Sequence, residues 1–199
     1  MNKKKTIAAM ICIAALTCMN VSKPTYIKKT ITPSFNASYA NVKSLAADSN
    51  DSSYDVPNKD TSFKTYMSYR AITDTSSAQY ELQQEAWTDE NGFRRINDDY
   101  LVAMGTYYAE ECGIRFKVTL EDGNEITVMI GDIKADIHTN STNQYTPVYD
   151  SNGIFISANV LEFIVDTDVL PKRVKRLGSA NCIEELHGNI VAIEKICKE

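Results

Sequence analysis

Residues 116–136 read FKVTLEDGNEITVMIGDIKAD and carry the strongest strand pattern of the chain. Apolar and polar residues alternate on both sides of the turn sequence Asp122-Gly123-Asn124. Two alternating segments joined by an Asp-Gly turn predict a β-hairpin, because successive side chains of a strand point to opposite faces. The second strand runs into Gly131-Asp132 and then into a polar loop. A carboxylate at the exit of a buried strand is the first place to look for chemistry.

Further strands and a helix surround this hairpin. Residues 100–104 predict a buried strand, residues 160–166 a strong alternating strand, and residues 189–196 a final strand. A helix is predicted over 169–177 and ends at Gly178. Five or six short strands with one crossing helix, in about a hundred residues, predict a mainly β fold organised as a small β-barrel.

The N-terminal residues 1–21 have the pattern of a secretory signal or an N-terminal anchor. Lys3, Lys4 and Lys5 precede a run without charges, and about 16 apolar residues are too few for an ordinary membrane span. Three alternatives stay open: a cleaved signal, an uncleaved anchor, and a lipid anchor at Cys18. Each of them places the bulk of the protein outside the cytoplasm, so we expect an extracellular or cell-surface protein.

Three regions follow this segment. Residues 22–60 are rich in Ser, Asn, Asp, Thr and Pro and predict a flexible spacer. Residues 61–92 predict a short helical arm with helices over 61–71 and 78–87, in which Trp87 fastens the arm to the next domain. Residues 93–199 form the predicted barrel domain.

Composition excludes several classes of function. The formal net charge of −5 provides no basic surface for nucleic acid. The patterns of nucleotide-binding loops and of serine-hydrolase elbows are missing from the sequence. We therefore expect no cofactor, and without a Cys-x-x-C pair we expect no metal site. Outside residues 1–21 there are three cysteines, Cys112, Cys182 and Cys197, of which the last two are the favoured disulfide pair.

Three segments of the chain resemble the landmarks of one structural group. They are residues 104–108 (MGTYY), 127–132 (TVMIGD) and 162–167 (EFIVDT). They resemble the double-psi β-barrel proteins, that is, the rare-lipoprotein-A-like, barwin-like and expansin-like group with the 3D domain of wall-lytic proteins beside it. The resemblance covers residues 100–178 and implies a compact six-stranded barrel with a groove for polysaccharide.

The resemblance also implies roles for two carboxylates. Asp132 matches the general acid of the members that cleave peptidoglycan glycan strands, and Asp166 matches a second Asp that is largely structural in many members. The chain departs from the group after Asp132, where residues 133–136 (IKAD) replace a glycine-containing turn. The resemblance is therefore compatible with a lytic transglycosylase and with a barrel that retains the polysaccharide groove but has lost the catalytic activity.

The residue types at these positions suit a sugar polymer. Cleaving a glycosidic bond requires a proton for the leaving oxygen, and apolar neighbours raise the pKa of a carboxyl such as Asp132. The alternative is that Asp132 accepts backbone hydrogen bonds and only holds the fold. Tyr107 and Tyr108 offer flat faces for pyranose rings or for ordinary packing. Asp136 and His138 offer a second acid–base pair, a weak cation site, or merely a solvated loop.

The sequence thus predicts a monomeric, secreted envelope protein that binds peptidoglycan glycan strands, with cleavage by Asp132 as a further hypothesis. Asp132 is the catalytic candidate, and the substrate-binding candidates are Tyr107, Tyr108, Asp136, His138 and Asp166. Any membrane contact is expected only through residues 1–21. The alternative is a non-catalytic structural or protein-interaction module of the envelope.

Overall fold

A computed structural model describes residues 52–197. The predicted leader, residues 1–21, and most of the predicted spacer lie outside the described residues. The described part is mainly β, as the sequence predicted. None of the helices within residues 52–197 has the length and apolar character needed to cross a membrane.

Eleven strands and two α-helices, with four short 3-10 turns, make up the described residues. The helices are α1, Ala78–Glu85, and α2, Lys172–Leu177. The strands are β1 Ser53–Tyr54, β2 Thr65–Ser68, β3 Trp87–Thr88, β4 Arg94–Ile96, β5 Asp99–Gly105, β6 Arg115–Leu120, β7 Glu125–Lys134, β8 Thr146–Tyr149, β9 Phe155–Asn159, β10 Glu162–Val165 and β11 Ile190–Ile196.

The main sheet is built around the predicted hairpin. Its strand order is β1-β11-β6-β7-β5-β10-β2, and β4 pairs with β5 while β3 pairs with β4. Strands β6 and β7 are antiparallel around the Asp122-Gly123 turn, which confirms the hairpin. The pairs β5–β7 and β2–β10 are parallel. Strands β8 and β9 form a separate two-stranded sheet.

The main sheet has two ends among the described residues and does not close into the predicted barrel. One end is β1, formed by residues that the sequence analysis assigned to the spacer, which pairs with β11. The other end is β2, whose preceding residue Lys64 exchanges hydrogen bonds with Ser179 and Ala180. Within residues 52–197 no pairing joins β1 to β2, so the sheet stays open.

The predicted helical arm is only partly helical. The helix expected over 61–71 is wrong: Thr65–Ser68 is a strand held by its parallel pairing with β10, and the 3-10 turn Tyr69–Ala71 follows it. The second helix is confirmed as α1, where the Ser77 hydroxyl caps the N-terminus by accepting the Tyr80 N–H at 3.2 Å. The helix predicted from residue 169 begins three residues later, after Pro171.

The hydrophobic core lies against one face of the main sheet, here called the core face. Val102, Phe116, Val128 and Phe163 each have 0 % of their surface exposed, and burying a side chain of this size contributes about 1.5–3 kcal/mol. Helix α2 adds Val174 to this core. Cys112, Cys182 and Cys197 are all free thiols, so the disulfide favoured from the sequence is wrong.

Candidate functional site

The site begins with an irregularity in strand β7. Along the parallel pair, Ile130 lies opposite Val102, and the next pair joins Asp132 to Ala103. Gly131 is therefore an extra residue on β7, which is the arrangement of a β-bulge. A Cβ atom on Gly131 would lie 2.8 Å from Cδ1 of Ile164 and 3.2 Å from Cβ of Leu101, so only glycine fits this bulge without displacing its neighbours.

The bulge decides where the Asp132 side chain points. Ile126, Val128 and Ile130 pack in the core, and continuing their two-residue period would place residue 132 in the core as well. The extra residue shifts the alternation, so that Asp132 shares the face of its partner Ala103. This is the opposite face of the sheet, here called the outer face, against which helix α1 packs. A charged side chain thereby leaves the core.

Asp132 lies in a cleft of about 290 Å³ on the outer face. The cleft lies between the end of β2, the loop that follows it, and the first turn of α1. Gln79, in that first turn, lines the cleft beside Asp132, and its side chain favours the ionised form of the carboxyl. The residues lining the cleft are Met67, Ala71, Ile72, Thr73, Asp74, Ser77, Gln79 and Asp132.

The surroundings of Asp132 favour its protonated form. Burial raises the pKa of this carboxyl, against the smaller opposing effects of the Ile133 N–H, which donates at 2.9 Å, and of Gln79. The side chain is half-buried, and the single backbone N–H that it accepts is that of its own neighbour. Asp132 is thus a carboxyl that reaches the cleft, rather than one enclosed by backbone donors.

A second carboxylate in the same cleft has the opposite tendency. Asp74 is exposed and accepts hydrogen bonds from the Ser76 hydroxyl at 2.7 Å and the Ser76 N–H at 3.0 Å. These two bonds lower the pKa of Asp74. Two carboxyl groups whose pKa values are moved apart by their surroundings can divide the roles of proton donor and negative charge. The cleft therefore has the groups needed for acid-assisted cleavage of a polar substrate.

The two tyrosines predicted to line a sugar groove are not part of this cleft. Tyr108 is 2 % exposed and packs against Tyr54 and Tyr107, with ring centroids 5.6 and 5.1 Å away. Its hydroxyl is buried and has no hydrogen-bond partner among residues 52–197, and burial raises the pKa of this tyrosine. Tyr107 is 36 % exposed, with its ring edge-on to that of Tyr54. Ordinary packing explains Tyr108.

Asp136 and His138 lie beyond the end of β7, in the exposed 3-10 turn Asp136–His138. The Thr106 hydroxyl, which follows the end of β5, donates to Oδ1 of Asp136 at 2.8 Å. This hydrogen bond joins the ends of the parallel strands β5 and β7. The spacing of residues in the sequence did not predict this contact. Neither Asp136 nor His138 lines the Asp132 cleft.

Asp166 is held in a structural arrangement. Its carboxylate accepts the Asp168 N–H at 3.0 Å and the Arg70 guanidinium at 2.9 Å. The Asp168 N–H and Arg70 lower its pKa. Asp166 does not line the Asp132 cleft, and its hydrogen bonds suit the structural role that the resemblance gave to this position.

Sequence reasoning missed Asp74 and Gln79, which come from the predicted helical arm. A usable signal was present, because an Asp two residues before a Ser and just ahead of a helix is a typical capping turn. Their position opposite Asp132 depends on the packing of α1 against β7, which local sequence does not encode.

Comparisons of the chain with protein-family models, with curated proteins and with solved structures found no match.

Proposed function

We propose that this protein binds glycan strands of the cell wall in the Asp132 cleft and cleaves them by acid assistance from Asp132. The observation that carries the proposal is the half-buried Asp132 carboxyl, with its raised pKa, at an accessible cleft. The leader-like residues 1–21 and the resemblance to double-psi β-barrel proteins motivate the choice of polymer.

The reaction is a transglycosylation within one sugar. Protonated Asp132 gives its proton to the glycosidic oxygen as the bond from the anomeric carbon to that oxygen breaks. A hydroxyl of the same sugar forms the new bond to the anomeric carbon and returns its proton to the Asp132 carboxylate, which yields an anhydro sugar. Ionised Asp74 stabilises the positive charge that develops on the ring. Water is not consumed.

The test is incubation of the purified protein with peptidoglycan sacculi, followed by mass spectrometry of the soluble products. We expect anhydro-muropeptides, and we expect Asp132→Asn to lower their rate of formation by about 10²–10⁴-fold, the usual contribution of a general acid. Glu111→Gln makes the same chemical change at an exposed carboxylate outside the cleft and should leave the rate unchanged. Equal rates for the wild type and Asp132→Asn would refute the catalytic role.

The pH profile gives a second measure of the same role. Because the pKa of Asp132 is raised, its acid form persists to higher pH than that of an ordinary Asp. Cleavage should be fastest between the lowered pKa of Asp74 and the raised pKa of Asp132, and it should fall as the pH rises through the latter. Activity that increases as the pH rises through the raised pKa of Asp132 would contradict the assignment.

A non-catalytic interaction module is the second candidate, and the β8–β9 hairpin favours it. Tyr149 at the end of β8, Ile154 in the turn and Ile156 on β9 are 57 %, 61 % and 45 % exposed, and exposed apolar groups close together are typical of contact surfaces. Sedimentation of the wild type and of an Ile154→Ser, Ile156→Ser variant would test it. Concentration-dependent association of the wild type alone, without binding to sacculi, would favour this candidate over the first.

A further inference from the structure

A second groove lies past the C-terminal end of helix α1. It consists of two adjoining clefts of about 290 and 370 Å³ that share Arg95 and Glu185. The Asp132 cleft is at the N-terminal end of the same helix, whose eight residues span roughly 12 Å. We call this second site the Trp87 groove, after the aromatic residue that lines it.

Trp87 is the only tryptophan of the chain and is 50 % exposed. It was predicted to fasten the helical arm to the domain that follows, and its pairing with Arg95 agrees with this, although half of the residue is exposed. Its indole N–H donates to the Asn97 carbonyl oxygen at 3.2 Å, which restrains the ring. An exposed ring that the protein orients is a flat apolar platform already arranged for a ligand.

Arg95 is the cross-strand partner of Trp87 in the β3–β4 pair, and its guanidinium is held from several sides. It lies 3.5 Å from the centroid of the Tyr100 ring, and its Nε donates to the Asp89 carboxylate at 2.7 Å. Another of its nitrogens donates to the Asp98 carbonyl oxygen at 3.0 Å. This side of the groove is therefore rigid, and little conformational entropy is lost when a ligand binds to it.

The other polar groups of the groove suit hydroxyl-bearing ligands. Glu185 accepts the Tyr100 hydroxyl at 3.2 Å and has further acceptor capacity. Asn91 and Asn124 bring amides that both donate and accept, and Glu90 brings a further carboxylate. Carboxylates outnumber the one arginine, which disfavours an anionic polymer and leaves acceptors for the O–H and N–H groups of a neutral sugar.

From this arrangement we propose that the Trp87 groove binds a neutral, N-acetylated sugar unit of a glycan chain, with the pyranose face stacked on Trp87. This inference rests on the proposed function, since it adds a binding area for the same class of polymer. In this arrangement the Trp87 groove binds the glycan chain, and the Asp132 cleft protonates it.

The single tryptophan allows a direct test on the unmodified protein. Titration of the full chain with chitotetraose should shift the Trp87 emission to shorter wavelength in a saturable way, because the sugar displaces water from the ring. Polygalacturonate, an acidic polymer, should cause no such shift. A wild-type emission spectrum unchanged at saturating chitotetraose, or an equal response to polygalacturonate, would overturn the inference.

A second test measures, by calorimetry, the affinity of substituted variants for chitotetraose. Trp87→Ala should weaken binding about tenfold and Trp87→Phe less, because a smaller flat ring remains. Tyr149→Ala removes an aromatic ring of similar exposure on the β8–β9 hairpin and should leave the affinity unchanged. Circular dichroism checks that each variant is folded, and an equal loss in all three would contradict a specific role for Trp87.

The two proposals fail in distinguishable ways. An emission shift without anhydro-muropeptides from sacculi would refute cleavage at Asp132 and retain the sugar site at Trp87. Anhydro-muropeptides without an emission shift would refute the sugar site and retain the cleavage. Asp132→Asn should leave the emission shift intact, because Asp132 does not line the Trp87 groove.

Discussion

The two halves of strand β7 contrast sharply. In residues 125–130 the side chains of Ile126, Val128 and Ile130 are buried in the core and follow the period of an ordinary strand. After the bulge at Gly131, Asp132 reaches a cleft and the Lys134 ammonium is enclosed by protein. The same strand thus stabilises the fold with its first half and places ionisable groups with its second.

Lys134 shows how far the second half departs from an ordinary strand. Only 6 % of the residue is exposed, and Nζ donates to the carbonyl oxygens of Asn159 at 2.7 Å and Val160 at 3.2 Å. Burial lowers the pKa of Lys134 from 10.5 to about 8. The extra residue Gly131 thus separates a half of β7 that packs in the core from a half that carries two groups with shifted pKa values, Asp132 and Lys134.

The largest change in stability within β7 is expected from a substitution in its buried first half, residues 125–130. Ile130→Ala should lower the free energy of unfolding by about 2–5 kcal/mol, because the side chain is 1 % exposed and its loss leaves a cavity. Urea unfolding measures this. Ile137→Ala makes the same change just after β7 at a residue that is 86 % exposed and should cost within about 0.5 kcal/mol. Similar losses of stability for Ile130→Ala and Ile137→Ala would contradict the distinction between the buried half of β7 and the exposed residues after it.

The second prediction concerns the buried charge of Lys134. Below pH 8 the lysine is charged in both the folded and the unfolded states, so the full cost of burying the charge is present. Between pH 8 and 10.5 the folded state releases its proton first, and the stability of the wild type should rise relative to Lys134→Met. The lowered pKa of about 8 corresponds to a rise of about 3 kcal/mol across this window.

Urea unfolding of both proteins at several pH values between 7 and 10.5 measures this difference, in which the titration of all other groups cancels. Lys172→Met, at an exposed lysine of α2, should show a difference from the wild type that is independent of pH. If the stability difference between the wild type and Lys134→Met were also independent of pH, the Lys134 ammonium would not be desolvated in the folded state.

The smallest effect on stability is expected at Asp132. Asp132→Asn should change the free energy of unfolding by within about 1 kcal/mol, because the carboxyl accepts a single backbone N–H and is only half-buried. Its raised pKa means that the wild type loses stability as the pH rises from the ordinary Asp pKa through the raised one, so the variant should gain relative to it there. A loss of several kcal/mol at neutral pH would instead assign Asp132 a purely structural role.

Local sequence was sufficient for the elements that depend on periodicity and turn chemistry. The β6–β7 hairpin, β5, β10, β11 and α1 all lie where alternation or helical spacing placed them, because these patterns record which side chains face the core. The predicted helix over 61–71 failed because pairing with β10 outweighed the helical spacing of that segment. Gly131 inside an alternating segment was itself a sign of a bulge.

The residue pattern alone predicted a mainly β fold centred on the hairpin of residues 116–136, with Asp132 at the end of its apolar run. The open sheet, the turn of Asp132 away from the core and the cleft that it shares with Asp74 and Gln79 emerged from the folded arrangement. The physical reason is that period and turn preference are properties of neighbouring residues. Strand partners, the effect of a bulge and the desolvation of a carboxyl depend on segments that are distant along the chain.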